Sequence, residues 1–298
     1  MLAIVGATGT GKSQLALDVA GALAEHDVPA EVVNADAMQL YRGMDVGTAK
    51  LALAERRGVP HHLMDVLDVT DEASVAWYQP RARAAVAAIE ARSAVPILVG
   101  GSGLYASSVL GPLDFPGTDE PLRAALEADL ERDGAAAMHA RLAEVDERAA
   151  AAIGPHNGRR LVRALEVVTT TGRPFPVGLP DVLPGTTIVH VRRARDELVR
   201  ALDARVERMW AHGMLDEVRG LVEDGLERGS TATAAIGYRQ ALDELHGRIG
   251  TPEAIAETQR LTRRYARRQV SWFQRYPAID VDGPVGADAI ARHVLAAR

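Results

Sequence analysis

The sequence predicts an α/β fold: a parallel sheet flanked by helices and interrupted by a helical insertion. Three observations carry that prediction. Short apolar runs alternate with longer amphipathic runs in the first part of the chain, which reads as βαβ units. The run Gly6-Ala7-Thr8-Gly9-Thr10-Gly11-Lys12-Ser13 satisfies G-x-x-x-x-G-K-[ST] between an apolar run and a helical one. From 114 to 186 the strand pattern vanishes.

Taken in order, Leu2 to Val5 is a continuous apolar run, as a strand buried on both faces should be. Residues 12–25 follow as a helix, and the glycine-rich turn between them lets backbone N–H groups ring a phosphate. This is a P-loop NTPase-like arrangement, in which Gly6, Ala7, Thr8, Gly9, Thr10, Gly11, Lys12 and Ser13 hold a diphosphate or nucleotide. Lys12 supplies a point charge, Ser13 a hydroxyl for Mg²⁺, and the helix its positive end. Further strands are expected at 31–35, 62–67 and 95–99, with helices at 74–92 and 103–110. Ligands in such sheets lie beyond the carboxyl ends of the strands, which singles out Lys12, Asp36 and Ser102.

Pro112, Pro116 and Pro121 then break the pattern, and helices are expected at 120–132, 135–152 and 158–170, the last ending at Gly172. A strand returns at 187–191, and the remainder reads as helical: 196–211, 214–228, 236–247 and Pro252 to Tyr276, with Thr251 as N-cap. The domain organisation is therefore a catalytic core of residues 1–113 and 187–298 around an insertion at 114–186.

Composition excludes more than it assigns. At 298 residues, 47% hydrophobic and 25% charged, the chain is an ordinary globular protein with a net charge of −6. It has no cysteine, which removes disulfides, a thiol nucleophile and zinc ribbons, and fits a reducing cytoplasm. The chain enters a strand at once, which leaves no room for a signal peptide, and no apolar run approaches the ~20 residues of a membrane span. The nine histidines lack metal-ligand spacing, and the one pair, His61-His62, reads as structural. Only two lysines occur, Lys12 and Lys50, so a lysine inside the phosphate loop is a selective use of a compact ammonium.

Asp36 follows the second strand and either accepts a proton, holds a metal or caps a helix; local sequence leaves these open. Gly100-Gly101-Ser102-Gly103 follows the fourth strand, where Ser102 either caps the next helix or donates to a substrate oxygen. No hydrophobic strand ends in the aspartate that a γ-phosphate hydrolase uses for its metal, which argues against a simple ATPase or switch GTPase. From Thr258 to Tyr276 stand six arginines (260, 263, 264, 267, 268, 275) and no acidic residue. At ~100° per residue they fall within an arc of roughly 140°, with Leu261, Tyr265, Trp272 and Tyr276 opposite as core. An unmixed basic face on an acidic protein points to a polyanion such as a nucleic-acid backbone. Arg159, Arg160 and Arg163 form a weaker cluster.

With these residues in view, the chain resembles the bacterial tRNA dimethylallyltransferases, also called tRNA isopentenyltransferases, over essentially its whole length. The resemblance rests on Gly6 to Ser13, Asp36 to Tyr41, Gly43 to Lys50 (Gly-Met-Asp-Val-Gly-Thr-Ala-Lys), Val59 to Asp65, Val99 to Tyr105, Arg160 to Glu166, Gly237 to Gln240 and Arg267 to Trp272. It implies transfer of a dimethylallyl group from dimethylallyl diphosphate to N6 of the adenosine 3′-adjacent to the anticodon. The phosphate loop would grip the diphosphate with Mg²⁺, Asp36 would be the base at the amine, Ser102 would replace a usual threonine, and Arg205 would hold the diphosphate. The implied partner is the anticodon stem-loop of tRNA, with neither a membrane nor DNA expected.

By the same resemblance the tRNA contacts are Asp36, Ala37, Met38, Gln39 and Ser102; Arg123; Arg159, Arg160, Leu161, Val162 and Arg163; Ala235, Ile236, Gly237, Tyr238, Arg239 and Gln240; and Arg267, Arg268, Gln269, Val270, Ser271, Trp272, Phe273 and Gln274. The insertion and the last helix would clamp the stem-loop from two sides. The chain departs from the family at Pro155-His156-Asn157-Gly158, at Ala201 and at Ala37, and none of these touches Lys12, Ser13 or Asp36. A nucleotide kinase shares the phosphate loop and the insertion but lacks use for the arginine face. An isopentenyltransferase of free adenylate needs no polybasic helix, and a non-catalytic phosphate-binding module has no use for Asp36.

Overall fold

A computed structural model describes residues 1–297. Six strands form one sheet in the order β3-β2-β4-β1-β5-β6, every neighbouring pair parallel. They are β1 (Leu2–Gly6), β2 (Ala30–Asn34), β3 (His61–His62), β4 (Val95–Gly100), β5 (Thr187–Arg192) and β6 (Ile279–Asp282). Strands β1, β2 and β4 are buried at every position; β1 and β4 are apolar runs, while β2 also buries Glu31, paired with Arg92, and Asn34, bonded to the Leu63 carbonyl. β1 lies at the centre, with Leu2 level with Ile97 on one side and Thr187 on the other. Phosphate loop, Asp36 and Ser102 therefore emerge from three adjacent strands at the same edge.

The helices are α1 (Lys12–Ala24), α2 (Val75–Ala91), α3 (Gly103–Leu110), α4 (Glu120–Val145), α5 (Glu147–Ile153), α6 (Gly158–Thr171), α7 (Arg195–Ala211), α8 (Met214–Glu223), α9 (Ser230–Thr233), α10 (Tyr238–Leu245), α11 (Thr251–Phe273) and α12 (Ala287–Ala296). Two compact units result, one of Met1–Pro112 with the chain from Asp181 onward, the other of Leu113–Pro180. In the first, Leu15, Val19 and Leu23 of α1 pack on Leu2, Ile4 and Ile97 with Ile290 of α12. In the second, Leu126, Met138 and Leu142 of α4 pack on Ala149 of α5 and on Leu161 and Leu165 of α6.

Several boundaries differ from expectation, each for a local reason. The strand expected at 62–67 stops at His62, because Leu63 and Asp65 take left-handed backbone (φ 59° and 57°). Asp65 turns instead to Lys50, and the Leu63 carbonyl accepts from Asn34. The helix expected at 135–152 is split at Asp146, whose carboxylate accepts the Ala149 N–H at 2.9 Å and the Phe175 N–H at 2.7 Å. The helix expected at 236–247 starts at Tyr238, since Gly237 (φ 94°) gives its N–H to Gln240. Helix α11 is capped by Gly250 and not by Thr251, whose hydroxyl is turned to Glu244. The C-terminal part is not wholly helical: β6 adds a parallel strand beside β5, and α12 closes the α1 face.

Candidate active site

The glycine-rich loop takes the shape its sequence requires, with Gly9 and Gly11 left-handed at φ 81° and 93°. Lys12 opens α1 and reaches back across the loop to the Ala7 carbonyl at 2.6 Å, where Thr10 Oγ1 also donates at 2.9 Å. Arg205 arrives from α7 and donates to Thr8 Oγ1 at 3.0 Å and to the Thr48 carbonyl at 3.1 Å. Among the described residues neither cation is held by a direct ion pair, so both remain available to an anion. Enclosure lowers the Lys12 pKa to about 8, with Asp36 opposing the shift and Arg205 adding to it. Arg205 is lowered by the same loss of water, against the pull of Asp36. Both face a cavity of about 270 Å³ that Ser13, Asp36, Gln39 and His61 also line.

A second cavity of about 270 Å³ shares Thr8, Asp36, Thr48 and Arg205 with the first. Asp36 thus stands where the two meet. One of its oxygens accepts the Met38 N–H at 3.0 Å, which caps the short 3₁₀ turn Met38–Leu40; the other has no partner among the described residues. The Asn34 side chain fixes this turn, accepting the Asp36 N–H at 2.9 Å and donating to the Asp36 carbonyl at 3.0 Å. Capping and an open carboxylate oxygen coexist. Ser102 occupies the N-cap position of α3 without capping it, and instead accepts the Ala37 N–H at 3.1 Å.

Helical periodicity assigns Tyr265 and Trp272 to the core, and the structure corrects this. Tyr265 is half-buried and lines the second cavity with Asp36, Ser102 and Arg268. Burial raises its phenol pKa and the Asp36 charge raises it further, so it stays protonated and able to donate. Trp272 is half-buried, its Nε1 donating to Ser107 Oγ at 3.0 Å. The core positions of α11 are Ala254, Ala266 and Phe273, with Tyr276 just beyond it.

Around these groups lies a frame. Gln269 of α11 accepts the Thr8 N–H at 2.9 Å and donates to the Gly101 carbonyl at 2.8 Å, tying the phosphate loop to the turn after β4. The Gly43–Lys50 segment is wrapped on Glu217, which accepts from the N–H groups of Asp45 (3.0 Å), Val46 (2.6 Å) and Gly47 (3.3 Å) and from Tyr238 Oη (2.6 Å). A Cβ at Gly47 would lie 2.5 Å from the Tyr238 ring, so only glycine fits. Lys50, the second lysine, is a buried tether to Asp45 (2.6 Å) and Asp65 (2.5 Å). Of the histidine pair, His62 is structural, bonded to Glu31 at 2.6 Å, while His61 edges the first cavity.

The remaining sequence candidates divide sharply by exposure. Leu161, Val162, Ala235, Tyr238, Gln240, Gln269 and Phe273 are buried, and of these Ala235 and Tyr238 line the second cavity. Arg123 and Arg163 are tied to the fully buried Glu166 at 2.6 and 2.7 Å. Arg159, Arg160, Arg239, Arg267, Arg268, Ser271 and Gln274 are exposed, and Ile236 and Val270 are half-buried. The basic face of α11 is also less free than expected. Glu257 pairs with Arg260 (2.6 Å) and Asp203 of α7 with Arg263 (2.5 Å), while Arg268 and Arg275 lie over Tyr265 and Trp272. Arg264 and Arg267 are exposed with no carboxylate partner among the described residues.

A family model described as IPP transferase matches residues 39–276. The tRNA dimethylallyltransferase of Clavibacter sepedonicus is 56% identical over 299 residues, covering 99% of this chain and 96% of that protein. That of Kineococcus radiotolerans is 54% identical, with 99% and 95% coverage. Among solved structures, the tRNA isopentenylpyrophosphate transferase of Bacillus halodurans superposes with a TM-score of 0.71 at 36% identity, covering 99% of this chain and 95% of that one. A eukaryotic dimethylallyltransferase described as acting on tRNA gives 0.75 at 27% identity, covering 92% and 69%. A family model spanning most of the chain and relatives more than half identical over its length admit one conclusion: this chain belongs to the IPP transferase family.

Proposed function

We propose that this protein transfers a dimethylallyl group from dimethylallyl diphosphate to N6 of the adenosine 3′-adjacent to the anticodon of tRNA, releasing diphosphate. The observation that carries the reading is Asp36 at the junction of two cavities, one of them lined by Lys12 and Arg205. The names of the relatives support tRNA as the acceptor. Two unneutralised cations suit the leaving diphosphate, and an open carboxylate oxygen suits the proton of an amine.

In this mechanism the bond between the allylic carbon and the diphosphate oxygen breaks while the carbon–N6 bond forms. Charge gathers on the departing oxygen, where loop N–H groups, Lys12 and Arg205 stabilise it. An adenine amine is a weak nucleophile because its lone pair is delocalised into the ring. Asp36 accepts its N–H, raising its reactivity, and takes the proton as the new bond closes. Ser102 and Tyr265 border the same space and orient the base, which leaves the anticodon loop at modest cost. No group of three His, Asp or Glu able to cage a metal exists among the described residues. The Ser13 hydroxyl beside a phosphate cavity is the donor set that Mg²⁺ accepts, since that ion takes most of its ligands from phosphates and water. When bound there it would neutralise part of the diphosphate charge.

The same proposal places the reaction in the cytoplasm; no helix among the described residues is long and apolar enough to cross a membrane. Incubating the protein with Mg²⁺, tRNA and labelled dimethylallyl diphosphate should move the label onto one adenosine of the anticodon loop. ATP should not be consumed. Stoichiometric ADP release coupled to product would assign the phosphate loop to a kinase-like step instead.

A further inference from the structure

The segment Gly43–Lys50 adds no side chain to the chemistry above, yet its backbone reaches the site. The Thr48 carbonyl accepts from Arg205 Nη2 at 3.1 Å and from Gln39 Nε2 at 3.3 Å, while Arg205 Nη1 donates to Thr8 Oγ1 at 3.0 Å. A guanidinium is planar, so anchors on two different nitrogens fix its plane as well as its position. Both anchors are uncharged. They orient Arg205 and leave its charge for a phosphate ligand.

A loop carbonyl aims a cation only as firmly as the loop is held. Ala49, the next residue, has left-handed backbone at φ 48°, which a non-glycine residue keeps only where its surroundings enforce it. Thr48 Oγ1 donates to the Met44 carbonyl at 2.6 Å and closes the turn on itself, and Lys50 ties the end of the segment to Asp45 and to Asp65 in the turn after β3. The anchor on the other side is Glu217, from α8, the helix that follows α7. Its carboxylate gathers the N–H groups of three consecutive residues, Asp45, Val46 and Gly47, together with Tyr238 Oη. Successive N–H groups converging on one anion form a nest. Glu217 lines neither cavity, so its effect on the reaction runs through the segment it holds.

We infer that Glu217 is a positioning residue for the transfer reaction, setting the Thr48 carbonyl so that Arg205 stands against the phosphate loop with its charge free. The inference rests on reading Arg205 as a cation that stabilises the leaving diphosphate. Without the carboxylate, three N–H groups and a phenol lose their acceptor, and the segment shifts to find others, carrying the Thr48 carbonyl with it. A displacement of about 1 Å at a group that stabilises transition-state charge costs up to roughly 10²-fold in rate.

The test is a double-mutant cycle, because a variant that merely loosened the fold would slow the enzyme whatever stood at position 205. Glu217→Gln and Arg205→Ala are made singly and together. Tyr238→Phe, which removes one donor from the same carboxylate, gives a second cycle should Glu217→Gln prove too unstable to purify. Two quantities are read: the single-turnover rate with saturating dimethylallyl diphosphate and tRNA, and the Kd for inorganic diphosphate with Mg²⁺. With Arg205 present, Glu217→Gln should lower the rate roughly 10- to 100-fold and raise the diphosphate Kd at least about threefold. In the Arg205→Ala background both effects should shrink to less than about twofold. Tyr238→Phe should follow the same pattern with smaller losses. Equal fold-losses with and without Arg205, or a Glu217→Gln enzyme with the wild-type rate and Kd, overturn the inference and leave the reaction standing. A wild-type protein that binds diphosphate and alkylates no adenosine in tRNA overturns the proposed reaction instead, and the diphosphate cycle still decides the role of Glu217.

Discussion

In the proposed reaction Asp36 does two things with one carboxylate, and its two oxygens divide the work. Oδ1 accepts the Met38 N–H and holds the turn; the second oxygen is the one available to an amine. Asp36→Asn keeps an acceptor for Met38 and removes the base. It should lower kcat roughly 10²–10⁴-fold with little change in donor Kd, measured by single-turnover kinetics and donor titration. Near-normal turnover would reduce Asp36 to a turn cap. Lys12 is expected to fail differently. With its pKa lowered to about 8, the free enzyme loses this charge as pH rises through 8, so donor Kd should weaken above that point, by at most about tenfold per unit. Between 8 and the ordinary 10.5 the unfolded chain binds the extra proton, so the contribution of this residue to stability rises with pH across that window and is unfavourable at neutrality. Lys12→Met should therefore raise the Tm of the donor-free protein at pH 7 while abolishing tight donor binding. A lower Tm would mean that the ammonium on the Ala7 carbonyl is a structural bond.

At the scale of elements, α11 separates what periodicity can see from what it cannot. The basic arc and the apolar opposite face are legible from spacing alone, as is the phosphate loop between β1 and α1. Spacing cannot show that Asp203 comes from α7 to meet Arg263, or that Tyr265 on the apolar side looks into a cavity and not into the core. Both depend on a neighbour distant in sequence. The same limit hides Glu217, whose nest of three N–H donors lies more than a hundred residues upstream. Strand β6 escapes for another reason: Ile279-Asp-Val-Asp282 is an exposed edge strand with no apolar run to announce it. The pairing pattern on α11 now sorts its arginines. Replacing Arg264 and Arg267 together with alanine should weaken tRNA binding and reduce the log–log salt slope by roughly 0.7–0.9 for each phosphate no longer neutralised, with donor Kd unchanged. Arg260→Ala, which removes a residue already paired with Glu257, should shift the slope far less. Equal slopes for the double variant and wild type would refute the phosphate-binding role of this helix.

For the whole molecule, each compact unit carries its own buried carboxylate lock, and the two respond to acid in the same direction. In the sheet unit Glu31 is held by hydrogen bonds from Arg92, against burial and with help from His62, so its pKa falls to about 2. In the helical unit burial alone would raise Glu166, but Arg123, Arg163 and the Asp119 N–H overcome it and leave the carboxyl below its ordinary value. A carboxylate depressed in the folded state contributes stability above its unfolded value, near 4.5, and loses it as pH falls toward the folded one. Both units should therefore weaken below about pH 4.5. Glu166→Gln separates them. It leaves two arginines facing a neutral amide in a buried site, a change on the order of 3 kcal/mol when a buried pair is broken. Calorimetry at neutral pH should show the transition of the helical unit displaced to lower temperature, with little further loss on acidification, while Glu31 keeps the acid response of the sheet unit. Donor Kd should be unchanged, because Lys12, Ser13 and Arg205 all belong to the sheet unit. Affinity for tRNA should fall, because Arg159 and Arg160 stand on the helix that Glu166 secures. Full tRNA affinity alongside a melted helical unit would remove that unit from the RNA-binding surface and leave α11 to hold the stem-loop alone.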